Sequence, residues 1–211
     1  MRPRFELGLD SLPLDAMDAD VVVAGIFIED RPLRGGAGRV DWRLCGQISA
    51  MLSAESIGAE RGSAALVAAT GVFRAPRIML LGLGSRADFG LTAAQDLMRE
   101  AIERCIALGV RRIALAPLGV ASDDFIRHAA AVAGGAAEAI RGRDGVEQIP
   151  GDFEVRLSVP EAGIEIASEA LEQAVSAFED PGIAIRPVTR RHHNPSPARE
   201  MPRRGAAYFR P

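Results

Sequence analysis

Lysine is absent from this 211-residue chain; all 25 basic residues are arginine. That excludes a Schiff-base amine, a P-loop lysine and a lysine at a metal centre. Aromatic residues make up only 5% of the chain, so Val, Ile, Leu and Ala must build the core. Cysteine occurs twice, as Cys45 and Cys105, with no metal-type spacing. Both fall in stretches of helical spacing and read as a reduced, buried pair. No apolar run approaches the ~18 residues of a membrane span. The opening MRPRFELGLD has no apolar stretch of the secretory kind. The expectation is a cytoplasmic protein without membrane contact. There is no G-x-S-x-G elbow and no defensible Ser-His-Asp order. His128 reads as a surface or boundary residue. His192 and His193 have only Glu200 near them in sequence and read as a polar pair rather than metal ligands.

Acidic charge dominates except at the end. From Arg186 onward there are seven arginines and one acid, Glu200, against 18 arginines and 27 acids before it. A basic tail on an acidic body either lies back on that body or reaches for something acidic.

The apolar pattern alternates between periods of two and 3.6. The opening RFELGLD alternates apolar and polar residues and reads as an edge strand. The β-branched run DVVVAGIFIED reads as a buried strand, followed by the turn-rich RPLRGGAGR. Val40, Leu44, Ile48, Met51 and Leu52 predict one helix over 40–54, with Trp42 and Met51 as packing residues. GSAALVAATGV and PRIMLLGLG read as strands. Thr92 and Gln95 fit a capping box opening a helix over 93–108, ended by Gly109. RRIALAPLG is a further strand. Ser122, Asp123 and Asp124 suit the start of a helix whose inward face is Phe125, Ala129, Val132, Ala133, Ala136 and Ile140. A strand DFEVRLSVP, a helix over 161–178 with Leu171, Val175 and Phe178 inward, and a last strand GIAIRPV complete the pattern. The fold class is α/β, a three-layer α/β/α mixed sheet. Residues 1–188 form one domain. Residues 189–211, rich in Pro and Arg without periodicity, form a tail.

This order, with the words DVVVAGIF, RIMLLGLG, LTAAQDLMREAI and RRIALAPLG, resembles the N-terminal domain of the M17 leucyl aminopeptidases. The resemblance runs over about residues 5–188 and implies a macro-domain-like fold. It makes Gly82 and Gly84 a strand exit at an interior sheet position, where glycine serves backbone geometry. The Rossmann spacing G-x-G-x-x-G is not met. M17 enzymes hydrolyse peptides with two metal ions in a C-terminal domain, and their signature N-T-D-A-E-G-R-L does not occur here. The chain is expected to stop where that domain would begin, and no convergent set of metal ligands can be assembled.

In macro domains a glycine-rich loop before the first helix holds the diphosphate of ADP-ribose. PLRGGAGRVDW stands in that place, making Gly35, Gly36, Gly38 and Arg39 the candidate phosphate loop. The bland alternative is a plain surface loop. Against phosphate binding stand Glu29 and Asp30, where macro enzymes carry asparagines. The second phosphate loop would be PLGVASDDF, with Asp123 and Asp124. In the tail, Arg190, Arg191, Arg203, Arg204, Tyr208 and Phe209 are the candidate contacts for protein or nucleic acid. Some M17 enzymes also act as DNA-binding proteins.

The resulting expectation is a non-catalytic module without cofactor, acting through protein contacts, self-association or assembly. The alternative is a module binding ADP-ribose or another phosphate ligand. A leucyl aminopeptidase in its own right is a third.

Overall fold

The computed structural model describes residues 5–69, 71–119, 124–141, 152–177 and 185–192. The elements, in chain order, are β1 (Phe5–Asp10), β2 (Val21–Phe27), α1 (Gly35–Arg43), α2 (Gln47–Ser53), β3 (Ala64–Ala68), β4 (Arg77–Gly84), α3 (Leu91–Ala107), β5 (Arg112–Leu115), α4 (Phe125–Arg141), β6 (Phe153–Ser158), α5 (Ile164–Ser176) and β7 (Ile185–Arg190). One sheet of seven strands runs β3-β4-β2-β5-β6-β1-β7. Every pairing is parallel except that of β3, which lies antiparallel on β4.

The side-chain period of two distributes each strand between two layers. In β2, Val21 and Val23 face α3, α4 and α5, while Val22, Ala24 and Ile26 face α1 and α2. Buried on both sides, β2 reads as a continuous β-branched run, as parallel strands do. On α3 the residues Ala94, Leu97, Met98, Ala101, Ile102 and Cys105 are buried at helical spacing. The expected inward face of α4 holds, with Phe125 partly buried against the core.

RIMLLGLG is β4, an interior strand, and its glycines are explained by crowding and turn geometry. A Cβ on Gly82 would sit 2.0 Å from the Glu60 carbonyl oxygen, and Gly84 has φ +77°. Their amides donate to the carbonyls of Ser63 and Ala59, each at 2.9 Å. Gly109 ends α3 with φ +71°.

Several local expectations are corrected. β1 is not an edge strand; it lies between β6 and β7. The helix expected over 40–54 starts earlier, at Gly35, and breaks at Cys45 and Gly46, with φ 54° and 84°. The break is fixed by Asp41, whose carboxylate accepts from Ser49 N at 3.0 Å and Ser49 Oγ at 2.6 Å. Cys45 is therefore exposed and Cys105 buried, so they are not a buried pair. α3 begins after Gly90 with no side-chain cap, and Gln95 packs beside Gly134 instead of closing a capping box. His128 is buried, because the alanine-rich α4 settles deep between α3 and α5. Met51 packs against the second core cluster, but Trp42 is 72% exposed. Phe178, Ser122 and Asp123 lie outside the described residues, and β7 continues to Arg190.

Candidate functional site

Six parallel strands end along the same rim of the sheet. From β2 the chain leaves toward β4; from the adjacent β5 it leaves toward β6. Such a reversal opens a crevice outside the carboxyl ends of the strands. Here it is a cavity of about 500 Å³, lined by Ser11 to Pro13 after β1, Gly35, Gly36 and Arg39 of α1, Ala116 and Pro117 after β5, and Ser158 to Pro160 at the end of β6. Among the described residues no carboxylate lines it.

Three of the four residues of the expected phosphate loop meet there: Gly35, Gly36 and Arg39. Gly36 is held to glycine by close approach, since a Cβ would stand 2.1 Å from Ala116 Cβ. This places the first turn of α1 against the end of β5. Arg34, the N-cap, makes no side-chain cap hydrogen bond. The leading N–H groups of a helix have no intrahelical partner and carry positive potential, so this end favours an anion. Gly38 does not line the crevice; its amide donates to Arg34 O at 2.9 Å, and a Cβ would press on Leu33 O. Arg39 donates from Nε to Asp15 Oδ1 at 2.6 Å, and Arg43 Nε lies 3.2 Å from Asp15 Oδ2.

Glu29 and Asp30, expected to oppose phosphate binding, do not line the crevice. Glu29 accepts from Ser85 Oγ at 2.7 Å and from Arg86 N at 3.2 Å. The Ser85 hydroxyl is the largest influence holding the Glu29 carboxyl below its ordinary pKa. Asp30, 4% exposed, pairs with Arg86, whose guanidinium lies 4.1 Å from the Phe27 ring centroid. Both acids are occupied at the end of β4, away from the crevice. Asp124 accepts from Arg127 N at 3.2 Å at the start of α4.

Beside the crevice lies a buried ion pair that sequence reading missed. Asp10 Oδ2 stands 2.9 Å from Arg156 Nη1, on neighbouring strands. Asp10 Oδ1 accepts from Leu12 N at 2.9 Å and faces His192 Nε2 at 3.2 Å. Arg156 Nη2 donates to the Asp18 carbonyl. The available signal was the alternation in FEVRLS, which puts Arg156 on the face opposite Val155 and Leu157. Of the expected tail contacts, Arg190 pairs with Glu154 at 2.6 Å and Arg191 with Glu165 at 3.1 Å, both on the chain's own body. Arg203, Arg204, Tyr208 and Phe209 lie outside the described residues. Among the described residues no three His, Cys, Asp or Glu side chains are grouped to hold a metal ion, and none of the helices is long and apolar enough to cross a membrane.

Known proteins place this architecture. A probable cytosol aminopeptidase of Alkaliphilus oremlandii is 28% identical over 102 residues, 48% of this chain but only 20% of that protein. A tomato leucine aminopeptidase mutant superposes with TM-score 0.59 at 19% identity, over 83% of this chain and 36% of that one. A Trypanosoma brucei macrodomain in complex with ADP superposes with TM-score 0.59 at 13% identity, covering 81% of this chain and 69% of that one. These two structures share the fold with the present chain. The family model for the N-terminal domain of the cytosol aminopeptidase family matches residues 21–142, more than half of the chain, which therefore belongs to that family.

Proposed function

We propose that this chain acts by binding rather than by cutting, and that its crevice takes the phosphate end of a nucleotide of the ADP-ribose kind. One observation carries the reading: the uncapped first turn of α1, pressed against β5 at Gly36, faces a crevice of about 500 Å³ that no carboxylate of the described residues lines. A diphosphate over Gly35 and Gly36 would meet helix N–H donors, with Arg39 beside it. The macrodomain of like fold was solved with ADP, which supports the ligand class. Calorimetric titration with ADP-ribose tests it. Saturable binding is expected, weakened roughly tenfold in Arg39→Glu, equivalent to about 1.4 kcal/mol. Absence of heat at millimolar ADP-ribose removes the reading.

Assembly is a second reading, supported by β3. This edge strand, AALVA, carries no charge and no proline, and Leu66 at its centre is 49% exposed. Edge strands of that kind invite another strand. A two-fold axis at Leu66 would set Ala64 opposite Ala68 of a second copy. Light scattering should give a dimer mass that falls to the monomer in Leu66→Arg; a wild-type monomer at every concentration would end this reading.

A further inference from the structure

Trp42, the only tryptophan of the chain, stands on the outer face of α1 with 72% of its surface in water. The packing face of this helix is supplied by Ala37 and Val40 instead. Two arginines flank the indole along α1. Arg39 is its neighbour one turn back, at the i−3 position. The Arg43 guanidinium lies 5.9 Å from the ring centroid. Asp15 bridges Arg39 and Arg43, and its carbonyl accepts from the amide of Arg74, an exposed arginine, at 3.2 Å. Arg34 heads the helix. Two carboxylates accompany these four arginines, and both are engaged: Asp15 on two guanidiniums, Asp41 on Ser49. The chain as a whole has net charge −3, so this positive excess is local.

We propose that this face of α1 binds single-stranded nucleic acid, with a base stacked on Trp42 and the flanking phosphates on Arg39 and Arg43. The ligand must present an aromatic face and negative charge within a few ångströms of each other. A single strand does so at every nucleotide, and stacking platforms set among arginines are how such strands are held. A duplex keeps its base faces stacked inside. An acidic peptide would satisfy the guanidiniums and leave the indole idle. An apolar protein surface would cover Trp42 at the cost of burying two guanidiniums that share the single carboxylate of Asp15. The site shares Arg39 with the crevice but runs along α1 away from it, through Trp42 and Arg43.

Because Trp42 is unique, its fluorescence reports directly on this site. The full-length chain is titrated with a twelve-residue oligothymidylate. Quenching of Trp42 is expected, with affinity falling roughly tenfold between low and physiological salt, as two or three phosphate contacts on a single strand require. Trp42→Ala should weaken binding of a fluorescein-labelled oligonucleotide at least tenfold and Trp42→Phe should restore most of it. Arg43→Gln should lower both the affinity and the salt dependence. Trp42 is solvent-facing, so the melting temperatures of its two variants should stay close to wild type, whereas Arg43→Gln also removes a hydrogen bond to the Val72 carbonyl and its thermal melt is read beside its affinity. Calorimetric binding of ADP-ribose should be unaffected in Trp42→Ala, which separates this site from the crevice. Four results would overturn the proposal: no quenching; equal quenching by a polyglutamate peptide or by phosphatidylserine vesicles; duplex bound as tightly as single strand; or oligonucleotide affinity unchanged in Trp42→Ala and Arg43→Gln, which would place the nucleic acid elsewhere, such as the arginine-rich tail.

Discussion

Asp10 and Arg156 meet across the neighbouring strands β1 and β6 at 2.9 Å, the carboxylate fully buried and the guanidinium 5% exposed. A pair so deep is costly to break, because buried Arg156 then keeps only Glu154, at 3.4 Å and shared with Arg190, as a counter-charge. Asp10→Ala should cost about 3–5 kcal/mol of stability. Arg190→Ala, which breaks a half-exposed pair with Glu154, should cost less than about 1 kcal/mol. Urea unfolding of the two variants checks the contrast.

The contact between α1 and β5 makes a second prediction. Gly36→Ala forces a Cβ onto Ala116 and should destabilise by about 1–3 kcal/mol. Ala116→Gly in the same chain removes the atom it meets and should recover most of that loss. Thermal melts of the two single variants and the double variant give the coupling.

Neither contact was legible in the sequence, although the layers that hold them were. The β-branched run of β2, the glycine exit of β4 and the buried faces of α3 and α4 follow from local periodicity, so the layers were readable. The glycine cluster was legible as a junction of strand and helix, but not its place inside α1, where contacts with Ala116 and Leu33 hold Gly36 and Gly38 to glycine. The interior place of β1 was not, since its neighbours β6 and β7 lie more than a hundred residues away in sequence. Nor was the break at Cys45. Val40, Leu44, Ile48 and Leu52 are all buried, so two short helices mimic the spacing of one. Asp30 looked like an obstacle to phosphate because its partner Arg86 is supplied by a distant turn.

Thiol chemistry should follow burial. Desolvation pushes the Cys105 thiol up to about 12, so it stays protonated and enclosed, while Cys45 is exposed. Ellman's reagent should label one thiol per folded chain at neutral pH and two in denaturant. Labelling of both at equal rates in the folded state would contradict the burial of Cys105.

Acid stability carries a signature of Asp20. Burial alone raises its pKa, but the amides of Arg111 and Arg112, each at 2.9 Å, and the Arg112 guanidinium hold it below the ordinary carboxylate value. A depressed folded pKa stabilises the protein above the unfolded value, near ~4, and that contribution is lost as pH falls through the folded pKa. Asp20→Asn should therefore be less stable than wild type at neutral pH, with the gap closing below pH ~4. Unfolding curves across that range test the sign.

Cleavage can be tested directly. The purified chain with manganese or zinc is expected to leave leucine p-nitroanilide intact over hours. Turnover retained through repeated purification would replace the binding reading with a hydrolytic one.

The amide resonances of Gly35 and Gly36 are the most direct witnesses of the crevice. On titration with ADP-ribose both should shift in a saturable way, with Gly38 and the distant strand β3 little changed. Unshifted Gly35 and Gly36 signals at saturating nucleotide would contradict the account.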